Sequence, residues 1–254
     1  MQLVFGAGDF YGVPLQDAFG NAITNPTPIK LGVLQELSLE FSGDTKELYG
    51  QNQFAIAVAR GKTKVAGKAK GAQLNGAALN TLFFGSGMSG GTLSAVFSDT
   101  AGAAIPASPY TLTPTPPNSG TFVEDLGVID ANGVPMTRVA SAPATGQYSL
   151  SAGVYTFAAA DTAKVVFINY RYTATATGAK KIAVQNLPMG FAPTFKAYMQ
   201  CSFQGKKALA VLYSCVSSKL ALFGTKQDDF SVPEFDFSAQ SDTANNVADI
   251  YLQE

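Results

Sequence analysis

Between Leu31 and Asp44, apolar and polar side chains alternate with a period of two. Leu31, Val33, Leu37, Leu39 and Phe41 fall on one side, and Glu36, Ser38, Glu40, Ser42 and Asp44 on the other. An extended strand sends successive side chains to opposite faces, whereas a helix would scatter this pattern around its circumference. The stretch therefore reads as a half-buried strand with an acidic outer face. Gly50, Gln51 and Asn52 then mark a turn, and Phe54 to Ala59 reads as a returning strand that Arg60 and Gly61 break. Beyond it the same period recurs. Lys62, Lys64, Lys68 and Lys70 share a face with Ala66, and Thr63, Val65, Gly67, Ala69 and Gly71 share the other.

The pattern returns near the carboxy terminus. Phe195, Ala197, Met199, Cys201 and Phe203 alternate with Lys196, Tyr198, Gln200, Ser202 and Gln204. Gly205 turns the chain and residues 207 to 223 continue as strand, which predicts a hairpin. Phe235 and Phe237 alternate with Glu234 and Asp236, while Pro233 predicts an edge or a bulge at that strand's start. One helix stands out: Asn75 can cap it, Ala78, Leu79, Leu82 and Phe83 form an apolar stripe, and Gly85 can end it.

Residues 86 to 120 are rich in Gly, Ser, Thr and Pro and read as a boundary or long connection. Strands resume around 121 to 129, 134 to 140, 147 to 157 and 164 to 173, and Ala174 to Gly178 reads as a second linker. The expected fold class is all-β, a β-sandwich or barrel with one flanking α-helix. A core domain of residues 1–90 plus 175–254 would carry an inserted β-rich subdomain over 91–174.

Charged residues make up 14% of the chain, against roughly 25% in an average domain, and there are 25 glycines. That balance suits sheets, tight turns and a surface largely covered by copies of itself. The net charge of −1 gives no basic field for gripping nucleic acid, which leaves room only for DNA in passing. The chain has no His, so it lacks the commonest general base and metal ligand. Gly85, Gly87 and Gly90 match GxGxxG, but they follow the helix where the dinucleotide fingerprint must open one. Gly87, Ser89 and Gly91 match GxSxG without a His to activate the serine, and no motif supports a Ser–Lys pair. Asp130, Asn132 and Gly133 partly match a calcium loop but lack its closing Glu, so a turn is expected. The adjacent acids Glu124–Asp125 and Asp228–Asp229 read as solvated strand ends. Cys201 and Cys215 are too far apart for a CxxC site; they read as buried thiols, bonded only if the strands bring them together. No catalytic residue, cofactor or metal is expected, and the chain is not expected to be an enzyme. Met1 to Phe10 has no basic region and contains Asp9, so no signal peptide is expected, and no apolar run reaches the roughly 20 residues of a membrane span. Synthesis and assembly in a cytoplasm follow. A carbohydrate-binding β module remains a rival on the strength of 10 Tyr, though it has no Trp.

Three stretches carry a family resemblance. LGVLQELSLEFSGDTKELYGQNQFAIAVARGKTKVAGKAKGAQLNGAALNTLFFG, residues 31 to 85, runs strand, ELYGQNQF loop, AVARG, lysine-rich strand, then helix. GVYTFAAADTAKVVFINYRYT at 153 to 173 and FSVPEFDFSAQSDTANNVADIYLQE at 230 to 254 complete it, together well over a third of the chain. In this order they resemble the major tail tube proteins of tailed bacteriophages. The resemblance implies a virion structural protein of the phage tail, assembled in the host cytoplasm. Its homohexameric rings would join their inner sheets into a β-barrel and stack into the conduit for DNA ejection. It implies as partners other copies of the chain, other tail proteins such as the tape measure, tail tip and terminator, and DNA in transient passage. By position, residues 42 to 54, with Lys46, Glu47, Leu48, Tyr49, Gln51 and Asn52, become the candidate inter-ring loop. Strands over 31–41, 54–60 and 62–73 become the candidate inner sheet, with the helix 75–84 outside it and the insertion decorating the tube. Either the charged faces, Glu36, Glu40 and Asp44 against Lys62, Lys64, Lys68 and Lys70, simply meet water, or one lines the pore and the other meets a neighbouring subunit. An acidic or balanced lumen lets DNA slide, whereas each Lys–phosphate contact adds salt-dependent affinity. A tail terminator or a capsid decoration protein is the alternative within the virion.

Overall fold

The computed structural model describes residues 6, 8–73, 76–86, 88–222, 224–225, 227–228 and 230–253. Among them the strands run in chain order β1 (Asp9–Gln16), β2 (Ile29–Lys30), β3 (Leu34–Tyr49), β4 (Ala55–Gly71), β5 (Met88–Phe97), β6 (Ala103–Ala104), β7 (Thr111–Leu112) and β8 (Thr121–Asp130). They continue as β9 (Thr137–Val139), β10 (Gln147–Ser151), β11 (Val154–Phe157), β12 (Val165–Ile182), β13 (Thr194–Phe203), β14 (Lys206–Ala221), β15 (Glu234–Gln240) and β16 (Ala248–Leu252). One short helix, α1 (Gly76–Leu79), continues as a wider π-type turn over Asn80–Phe84. The protein is all-β.

The chain divides into two compact units, unit 1 from Met1–Met88 with Ile182–Glu254, and unit 2 from Ser89–Lys181. The return from unit 2 falls later than expected because Ala174 to Gly178 is not a linker: it lies inside β12. Its alternating Thr and Ala residues suit an extended backbone, and Thr is a good strand former. The presumed connection over 86 to 120 likewise contains β5, β6 and β7. In β5 the half-buried Leu93, Ala95 and Phe97 alternate with exposed Ser94 and Val96, a strand pattern hidden among small residues.

Unit 1 is built on one sheet in the order β2-β1-β13-β14-β15-β4-β3, with β16 also paired to β14. All of these pairings are antiparallel. The order is open, with β2 and β3 at its ends, so no barrel closes among the described residues. Alternation sends Phe10, Phe195, Phe235 and Phe237 to the same side of the sheet, where their ring centroids lie 5.4 to 6.5 Å apart. Such tilted and edge-on aromatic contacts add to the burial energy. Leu37 and Leu39 pack against this cluster, so the far end of the sheet curls over its own core. Gly67 makes room for the Phe237 ring, because a Cβ there would stand 2.2 Å from the ring's outermost carbon. Strand β15 lies between β14 and β4, so Pro233 marks neither an edge nor a bulge. It stands one residue before the ladder, where its missing N–H costs nothing, and its carbonyl accepts the Gly71 N–H at 3.0 Å.

The helix covers the core as its stripe predicts, with Ala78 and Leu82 buried and Leu82 seated over Gly12. Gly85 ends it at φ +58°, donating its N–H to the Asn80 carbonyl at 2.6 Å. Asn75, the expected cap, lies outside the described residues. Gln204 and Gly205 both adopt positive φ, the geometry of a tight two-residue hairpin turn between β13 and β14. Cys201 and Cys215 are both free. Cys215 faces Phe195 and Cys201 faces Ala208, on separate rungs of that hairpin. Burial pushes the Cys215 thiol up to about 12.

Unit 2 has two four-stranded sheets, β7-β11-β10-β9 and β5-β12-β6 with β8 on β12. Tyr148, Tyr155 and Phe157 from the first meet Val128, Ile168 and Tyr170 from the second in one core. Asp125 is not a solvated strand end, since its side chain is only 3% exposed. It accepts hydrogen bonds from the Tyr148 and Tyr155 hydroxyls at 2.7 and 2.9 Å and from the Gly127 N–H at 3.0 Å, with Arg138 at 3.6 Å. Burial, and then the bond to this carboxylate, drives both tyrosine pKa values well above their ordinary range. Its neighbour Glu124 points the other way, to an exposed pair with Arg171 at 3.1 Å. Asp130 closes a turn by accepting the N–H groups of Asn132 and Val134.

Candidate assembly surfaces

The two charged faces are one face. In the antiparallel β3–β4 pair Glu36 stands opposite Lys70, Ser38 opposite Lys68 and Ser42 opposite Lys64. Residues directly opposite each other share a side of the sheet, so the acids and the lysines cannot look in different directions. The expectation that one set lines a pore while the other meets a neighbour is therefore corrected. On the far side of β4 the pattern repeats, with Glu234 opposite Lys70 and Asp236 opposite Lys68. Lys219 of β14 stands opposite Asp236. The result is a set of stripes, acidic on β3, basic on β4, acidic on β15, then Lys219, all facing away from the phenylalanine core.

Ion pairs join the stripes. Glu234 is bound by Lys68 and, at 2.7 Å, by Lys219, and Lys70 pairs with Glu36. The two ammonium groups, Lys219 first, hold the Glu234 carboxyl down at about 2. Glu234 in turn raises Lys68. Lys62, Lys64, Glu40, Asp44 and Asp236 are in no ion pair among the described residues. Counted along the stripes, Glu36, Glu40, Glu234 and Asp236 balance Lys64, Lys68, Lys70 and Lys219, four against four. The acids of β15 were visible in the sequence as an alternating strand, but nothing local tied them to the lysines of β4.

The expected inter-ring loop is likewise not a loop. Strand pairing continues through Thr45–Arg60, Lys46–Ala59, Glu47–Val58, Leu48–Ala57 and Tyr49–Ala55, so only residues 50 to 54 form the turn. Arg60 and Gly61 do not break β4; the register shifts between Gly43 and Thr45, a bulge at which Gly61 sits. The outer halves of β3 and β4 thus form a two-stranded arm. From Ser42 to Phe54 every residue is exposed. Among its side chains, Leu48, Tyr49, Phe54, Ile56 and Val58 are all solvent-facing, Phe54 at 85% and Ile56 at 71%. Tyr49 donates its hydroxyl hydrogen bond to Glu47 on the same face. Gln51 and Asn52 stand in the turn, and both are exposed.

Strand β3 is also the free end of the sheet, so its outward backbone N–H and C=O groups pair with nothing in the sheet order. Of the GxSxG match, Gly87 lies outside the described residues, while Ser89 and Gly91 lie in β5. Among the described residues no three His, Cys, Asp or Glu side chains group to hold a metal ion. No helix is long and apolar enough to cross a membrane among the described residues. No model of a known protein family matches the chain, and no curated protein matches it.

Proposed function

We propose that this chain is the tube-forming subunit of a phage tail, assembling into rings, hexameric by the resemblance, that stack into the conduit for DNA. The observation that carries the reading is the arm: an exposed apolar β-hairpin, extending from a sheet whose long terminal strand β3 has no partner on its outer edge in the sheet order. A free monomer leaves this surface open to indiscriminate association, and a closed ring removes it by pairing each edge with a neighbour. The striped face suits a lumen. Equal numbers of carboxylates and ammonium groups give no net field, so passing phosphates are neither held nor strongly repelled. Helix α1 covers the opposite, core side of the sheet, in keeping with an outer position.

Negative-stain electron microscopy of the purified protein at high concentration tests this first. Hollow rings and tubes of constant diameter with a regular axial repeat are expected. Single rings or compact trimers that never stack, even with tail-tip components added, would replace this reading with a terminator or decoration protein.

A further inference from the structure

On unit 1 a groove of about 160 Å³ opens between β3 and the β13–β14–β16 part of the sheet. Its walls are Leu37, Leu39, Met199, Leu209 and Ile250, and the free thiol of Cys201 lines it. A cavity of about 150 Å³ with apolar walls takes a benzene-sized ring. The most exposed large side chain of the arm is a phenyl ring, Phe54. Knob and hole therefore sit on the same chain, and each lacks cover in the monomer.

Charge points to the same pairing. Over residues 42 to 64 the arm carries Lys46, Arg60, Lys62 and Lys64 against Asp44 and Glu47. From Gln227 to the end of the chain there are seven acids and no Lys or Arg. β16 belongs to that segment, and its Ile250 forms one wall of the groove.

We propose that the arm of a second copy docks in this groove, with Phe54 seated between Leu39, Met199 and Ile250. The contact joins two different surfaces of identical chains, so it is heterologous and repeats along an axis. It rests on the tube reading and names the surface that receives the arm.

The groove's own thiol provides the test. Cys215 is fully buried, which leaves Cys201 as the accessible native thiol. In Phe54→Cys, and in Gln53→Cys, which keeps the phenyl knob, mild oxidation should link the arm of one copy to Cys201 of the next. A disulfide forms only when the two Cα atoms come within about 7 Å. Non-reducing electrophoresis should show a ladder of dimers and higher species that is lost when Cys201→Ser is added. A dimer that survives Cys201→Ser joins tip to tip and overturns the proposal. Rings or tubes that form without any Cys201 link overturn the groove but leave the tube reading standing. Protein that neither links nor assembles at any concentration overturns both.

Discussion

Gly67 shows how much one absent side chain decides. The Phe237 ring lies so close above it that an added methyl must move backbone or ring, and overpacking of this kind costs about 1–3 kcal/mol. Gly67→Ala should lower the urea midpoint accordingly, and Gly67→Ala with Phe237→Leu should recover part of the loss. Equal midpoints for wild type and Gly67→Ala would contradict that packing. Glu234 sets a pH dependence of definite sign. Its folded carboxyl titrates near 2, below its ordinary 4.5, because Lys219 and Lys68 stabilise the anion. A depressed carboxyl stabilises the fold above the ordinary value, and the contribution fades as pH falls from 4.5 toward 2. Glu234→Gln should flatten the acid limb of the stability–pH curve across that window and leave neutral-pH ring formation in place. Neither contact is a local sequence feature: Gly67 reads as one more small residue on a lysine strand, and Glu234 as one acid in an acidic tail.

At the scale of the element, the arm separates folding from assembly. Its residues bury little in the isolated chain, so removing them exposes no core. Replacing residues 47 to 58 by Asn-Gly would join the Lys46–Ala59 pair by a tight two-residue turn. Unfolding free energy should change by no more than about 0.5 kcal/mol, as for surface changes in general. Stacking should be lost while single rings survive in electron micrographs. A variant that still forms tubes would remove the arm from the stacking contact. The strand period announces the inner halves of β3 and β4 and the Gly-Gln-Asn cluster marks the turn, but the loop expected over 42 to 54 and the break expected at Arg60 and Gly61 are paired strand. Turn residues mark where a chain reverses and do not say how far pairing continues toward the reversal.

At the scale of the molecule, the two units have separate aromatic cores, phenylalanines in unit 1 and mostly tyrosines in unit 2. A fragment of residues 89–181 should therefore fold alone, with near-ultraviolet circular dichroism from its packed tyrosines and a single cooperative urea transition. A featureless spectrum would mean that unit 2 needs unit 1 to hold its core.

Periodicity by itself determined that the chain is all-β, that its apolar stripes point inward, and that one helix ends at Gly85. Those are properties of single strands and turns, set by the two-residue repeat of an extended backbone and by the freedom of glycine. Which strand lies beside which was decided only in three dimensions. The pairing of Ala69 with Phe235 joins the first part of the chain to the last, and no local pattern encodes such a neighbour. That pairing added the acids of β15 to the charged face that the β3–β4 pairing makes one, and so balanced its lysines. It also put Pro233 before an interior strand, and the packing of the unit 2 sheets turned Asp125 from a surface acid into a buried acceptor for two tyrosines. Side-chain alternation reports which side of its own strand a residue occupies; what lies across from it depends on the whole sheet.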